Sequence, residues 1–81
     1  MNILEIIRKT LTTHFFIKPD FFQPSRRLEA DFGLTSLDRT ELVVYLEQAF
    51  QITLPDDELA RVRSAADLAA CIERHLSPVV A

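Results

Sequence analysis

Apolar residues that return every three or four positions constrain this chain more than any other feature. Over residues 2–16, Ile3, Leu4, Ile7, Leu11 and Phe15 keep the i, i+4, i+8 spacing of one helix face. A second patterned segment runs from about Ser36 to Phe50, and a third carries Leu68, Ala69, Ile72 and Leu76. Alternation with a period of two occurs in FQITL, residues 50–54. One short strand has nothing to pair with, so that stretch reads as an extended linker. The expected fold class is all-α: a four-helix bundle with a long loop between helices 1 and 2 and a short third helix.

Helix boundaries follow from polar residues at the segment ends. Thr35 or Ser36 can cap the second helix, and Asp38 sits in its first turn, where a carboxylate suits the positive end of the dipole. Pro55 followed by Asp56, Asp57 and Glu58 marks the start of the short third helix. Ser64 with Asp67 three residues later resembles a capping box with Asp in the place of Glu, and opens the last helix. Between residues 17 and 35, Pro19, Pro24, Ser25 and Gly33 break the period. The apolar residues Phe21, Phe22, Leu28 and Phe32 nonetheless predict a packed loop. The ending SPVVA, about residues 77–81, reads as a fraying tail.

With 81 residues, the chain has room for one small core and is expected to form a single domain over residues 1–81. A core of this size leaves little space for a deep, dry cleft, which favours binding or carrying over catalysis. The net charge of −3 is unevenly placed: residues 1–34 contribute +1 and residues 35–81 contribute −4. An acidic surface repels phosphate backbones, which argues against nucleic acid and for protein partners with basic patches. Cys71 stands alone, and with His14 and His75 it forms no spacing that resembles a zinc site, so a reducing cytoplasmic setting is expected. The apolar start, Met1 to Ile7, carries Glu5 and does not read as a signal segment. No apolar run approaches the ~18–20 residues that span a bilayer, so a soluble protein without membrane insertion is expected. No internal repeat is evident.

The second helix has an odd outer face. At about 100° per residue, Leu42, Leu46, Ala49 and Phe50 share the core side, with Val43 at its edge. Glu41, Val44 and Gln48 lie within about 40° of Leu37, on the opposite side. Two apolar residues ringed by Asp38, Glu41 and Glu47 suit a partner with a basic rim and an apolar dimple. Single exposed apolar residues are also common without any such role. Just before this face stands DFGLTSLDRTEL, residues 31–42, holding Gly33, the only glycine of the chain. Glycine takes positive φ freely, so the stretch reads as a tight turn that presents Ser36 at a helix start, where an attached phosphate would meet free N–H groups.

That stretch resembles the modification site of acyl carrier proteins, whose pattern is Asp-Leu-Gly-x-Asp-Ser-Leu-Asp followed two residues later by Glu-Leu. The matching residues are Asp31, Gly33, Ser36, Leu37, Asp38, Glu41 and Leu42, with Phe32 in place of Leu. The resemblance continues through LEQAFQITLPDDEL, residues 46–59, and a closing helix of similar length, so it covers nearly the whole chain. It implies an acyl-carrier-protein-like bundle and 4′-phosphopantetheine attached to Ser36 by a phosphopantetheinyl transferase, from coenzyme A. The arm's thiol would hold acyl cargo as a thioester, and the chain itself would not be an enzyme.

Leu37, Asp38, Glu41, Val44 and Glu47 are then the expected docking residues. Their expected partners are acyl-transferring, ketosynthase-type or acyl-ligase enzymes. Leu46, Phe50, Leu54, Leu59, Leu68 and Ile72 are the candidates to line a space for the acyl chain, their alternative being an ordinary filled core. Thr35 stands where the pattern has Asp, and Arg39 puts a cation in the first turn. Both point to a specialised fatty acid or polyketide-type pathway. A carrier that visits several enzymes is expected to be monomeric. The competing readings are an unmodified interaction module that keeps the fold, and an aminoacyl or peptidyl carrier. A hydrolase reading fails on the absence of a Gly-x-Ser-x-Gly elbow around Ser36.

Overall fold

The computed structural model describes residues 2–76. The fraying tail expected at residues 77–81 lies outside them. Four helices follow in order: α1, Ile3–Phe15; α2, Ser36–Phe50; α3, Asp56–Leu59; and α4, Ala65–His75. A single 3-10 turn, Pro19–Phe21, interrupts the long loop after α1. Among the described residues there is no strand, and FQITL is a helix end followed by an irregular linker, as its lack of a partner predicts.

α1 packs against both α2 and α4, and α3 packs against α4. Asn2 caps α1 by accepting the Glu5 N–H, and Ile7 and Leu11 are fully buried. From α2 the core receives Leu42, Leu46 and Phe50, and from α4 Ala65, Leu68, Cys71 and Ile72. Fully burying one leucine is worth about 1.5–3 kcal/mol, so Leu42 and Leu46 are enough to fix which way α2 faces. Ala49, expected on the core side, is exposed. It lies at the edge of the arc near the C-terminus of α2, where a methyl group is too short to reach the core that Phe50 fills.

The long loop is packed, as its aromatic content predicts. Leu28 and Phe32 are buried, Phe22 is partly buried against Phe32, and Leu34 is buried as well. Phe21 is the exception: it is 40% exposed, with its edge on Phe32 and the Arg26 guanidinium over its face at 4.0 Å. Backbone bonds tie the loop to the turn before α4. The Leu28 N–H donates to the Arg63 carbonyl at 2.9 Å, and the Ala65 N–H donates to the Arg26 carbonyl at 3.1 Å. The loop is thereby pinned at residues 26–28, a few positions before the turn that leads into α2.

Candidate functional site

The turn into α2 is built from backbone and two short side chains. Asp31 accepts the Arg27 N–H, and the Gly33 N–H donates to the Glu29 carbonyl at 3.0 Å. Gly33 has φ +72°, yet a Cβ there would meet nothing within 4 Å. Glycine is needed for the backbone angle and not for space. Thr35 then caps the helix: its Oγ1 accepts the Asp38 N–H at 3.1 Å, while Asp38 Oδ2 accepts the Thr35 N–H at 3.1 Å. This reciprocal box settles which of the two candidate caps is used.

The consequence falls on Ser36. Because Thr35 takes the cap, the Ser36 hydroxyl makes no hydrogen bond among the described residues and stands exposed in the first helical position. The N–H groups of Ser36 and Leu37 have no intrahelical partner, as the first turn of any helix requires. An anion held at the Ser36 oxygen would therefore meet two donors and the positive end of the dipole. The residues present fit a phosphodiester at this position.

Beside Ser36 a groove of about 360 Å³ runs between α2 and α3. Ser36, Arg39, Val43, Val44, Leu54 and Leu59 line it, with Glu29 and Glu47 at its sides. Of the six candidate chain-lining residues, two, Leu54 and Leu59, face this groove. Leu46, Phe50, Leu68 and Ile72 are buried in the closed core, the alternative named for them above. The groove is thus shallower and nearer to Ser36 than those four positions imply.

Two side chains of α2 bracket the groove. Arg39 Nη2 donates to the Val62 carbonyl at 2.9 Å and the Leu59 carbonyl at 3.1 Å, and Nη1 lies 3.8 Å from Glu29 Oε1. Read from the sequence, Arg39 is a cation at the wrong end of α2. In the structure it serves the carbonyl end of α3, where a cation is favourable. Farther along, Glu47 Oε2 accepts the Leu54 N–H at 2.7 Å and clasps the linker. Neither long-range bond had a local signal in the sequence, because each joins residues brought together by the fold.

The outer face of α2 stands as its spacing predicts. Leu37 is 70% exposed and Val44 44% exposed, and Glu41 is exposed beside them. Asp38 is drawn into the capping box and Glu47 into the linker clasp, so Glu41 is the carboxylate of this set without such a tie. His14 is exposed and stacks on Tyr45 at 3.9 Å between ring centroids, linking α1 to α2 away from Ser36. His75 and Cys71 also lie elsewhere, against Glu58 of α3.

This arrangement offers an exposed serine hydroxyl beside a groove on a small helical bundle, which suits a carrier. Comparison with known proteins agrees. The family described as "Phosphopantetheine attachment site" matches residues 3–72. An acyl carrier protein of Akkermansia muciniphila is 33% identical over 73 residues, covering 90% of this chain and 91% of that protein. One from Campylobacter hominis is 33% identical over 90% of this chain and 92% of its own length. One from Helicobacter hepaticus is 30% identical over 90% and 96%. The chain belongs to the acyl carrier protein family, whose phosphopantetheine-binding domain bears its cofactor, 4′-phosphopantetheine, covalently. It is a carrier and not a catalyst. No helix among the described residues is long and apolar enough to cross a membrane.

Proposed function

We propose that Ser36 is the attachment residue, and that the chain carries acyl intermediates as thioesters on the arm for a specialised fatty acid or polyketide-type pathway. The observation that carries this reading is the unengaged, exposed Ser36 hydroxyl, spared from capping by Thr35 and set at the mouth of the α2–α3 groove. A tether at that point keeps its cargo at high effective concentration for each enzyme the domain meets. The groove, through Val43, Val44, Leu54 and Leu59, is the place for the first carbons of the chain. Leu46, Phe50, Leu68 and Ile72 form its floor only when the helices part.

Leu37, Val44 and Glu41 form the docking face, with Asp38 and Glu47 contributing charge from its edge. Partners are the phosphopantetheinyl transferase and the acyl-handling enzymes that present a basic rim. Contacts of this kind are brief and electrostatically steered, which suits a monomer that must move between enzymes. The lone, unpaired Cys71 fits a reducing, cytoplasmic setting. Thr35 in place of the motif's Asp, with the cation Arg39 in the first turn, supports a dedicated pathway over a general one.

Intact mass after incubation with coenzyme A and a broad-specificity phosphopantetheinyl transferase tests the assignment. The parent is expected to gain one phosphopantetheine and Ser36→Ala none. No gain with several transferases, in a chain shown to be folded, would replace the carrier reading with that of an unmodified docking module.

A further inference from the structure

Between α3 and α4, outside the set of residues that line the groove beside Ser36, three different donor atoms converge. Cys71 Sγ, His75 and the Glu58 carboxylate offer ligand atoms that all lie within 4.8 Å of one another. Cys71 and His75 are four residues apart on α4, so they share one face of the helix. Glu58 comes from α3, with Oε2 2.8 Å from His75 Nε2 and Oε1 3.8 Å from Cys71 Sγ. Sequence spacing alone hides the set, because Glu58 lies 13 residues from Cys71 and reaches it through the fold.

The distances can be compared with those of a filled site. With bonds of about 2.0 Å to nitrogen or oxygen and about 2.3 Å to sulfur, tetrahedral ligands stand roughly 3.3–3.8 Å apart. The observed 2.8 Å lies below that range and the 3.8 Å at its upper end, and the sulfur–imidazole pair is within 4.8 Å, so modest side-chain movements would place all three donors around one ion. We propose that Glu58, Cys71 and His75 form a binding site for a zinc-class divalent cation that joins α3 to α4, with a water in the fourth position. A thiolate, an imidazole and a carboxylate together select this class over magnesium or calcium, which take oxygen ligands.

Two features bear on the ion's entry. Arg74 Nη2 donates to Glu58 Oε1 at 3.1 Å, but its side chain is 61% exposed and can swing into water without leaving a buried charge. The side chains of Glu58 and His75 are 29% and 28% exposed, so the ion has a path from solvent, while the buried Cys71 closes the inner side. Burial, with Glu58 beside it, pushes the Cys71 thiol up, so the metal-free site holds a neutral thiol. On binding, the S–H proton leaves to solvent and a sulfur–metal bond takes its place.

Titration of the unmodified chain with Co2+ is the direct test, since Cys71 is then the only thiol present. The expected result is saturation at one equivalent, with visible d–d bands and a sulfur-to-cobalt charge-transfer band that Zn2+ abolishes by competition. The charge-transfer band is expected to vanish in Cys71→Ser. Affinity should fall by at least about 100-fold in His75→Ala and Glu58→Gln, since even indirect supports of a ligand are worth 10–100-fold. Those two variants alter partly exposed positions, so they carry the test if Cys71→Ser does not fold. No saturable band in the parent, or bands unchanged in His75→Ala and Glu58→Gln, would overturn the site.

Discussion

The starts of α2 and α4 use the same device and leave opposite results. Thr35 with Asp38 and Ser64 with Asp67 each form a reciprocal capping box, with all four bonds at 3.1–3.2 Å. At α4 the serine is the cap, so its oxygen is engaged by the Asp67 N–H, and the neighbouring backbone is paired with the long loop through Arg26 and Arg27. At α2 the cap is a threonine, so the serine one position later keeps its hydroxyl and opens onto a groove. Chemistry at a helix start depends on which residue does the capping.

The largest expected contrast is in loading. Ser36→Ala is expected to abolish phosphopantetheine transfer while changing stability by less than about 0.5 kcal/mol, because its hydroxyl holds nothing. Ser64→Ala is expected to load fully. Intact mass and a urea titration on both variants check the pair. Next in size, Arg39→Ala removes two charged hydrogen bonds to carbonyls at the groove, an expected loss of about 1.5–3 kcal/mol by urea unfolding.

The caps themselves come third. Ser64→Ala and Thr35→Ala should each cost about 1 kcal/mol, which for a domain of this size lowers the melting midpoint by about 4–8 °C. Thr35→Asp should keep the cap and cost no more than a few tenths of a kcal/mol, which separates capping from any role of Thr35 in transferase recognition. The smallest effect is on pH dependence. Backbone N–H groups of Arg63 and then Ser64 hold the Asp67 carboxyl below its usual range. The unfolded chain therefore takes up that proton first, and the contribution present at neutral pH is lost as pH falls through the folded-state value. Thermal midpoints of the parent and Asp67→Asn should converge slightly as pH drops below about 4.

Local signals made most of the helical frame legible. The α1 and α4 stripes, the Ser64–Asp67 box and the turn at Gly33 all lie within a few residues in sequence, where spacing is sufficient. Ala49 was legible in angle but not in reach, since a helical wheel says nothing of side-chain length. Arg39 and Glu47 were misleading when read along α2 alone, because their partners are backbone groups 20, 23 and 7 residues away. The same limit hid the meeting of Glu58 with Cys71 and His75, because the cysteine and histidine alone show no zinc-like spacing and the third donor comes from another helix. Of the candidate site, the serine, its turn and two groove residues, Leu54 and Leu59, could be read, but the depth of the groove could not, because it depends on how closely the helices pack.

A helix of four residues cannot persist by its own hydrogen bonds, since a first turn fixes several residues for very few bonds. α3 therefore exists on borrowed contacts: Arg39 at its carbonyl end, Glu47 on the linker before it, and Glu58 towards α4. Such a segment belongs to the part of a protein that opens locally long before the whole unfolds. Amide hydrogens across residues 56–62 should exchange with solvent well ahead of those in α4, and faster still in Arg39→Ala. One wall of the groove can then come away while the other three helices stay folded.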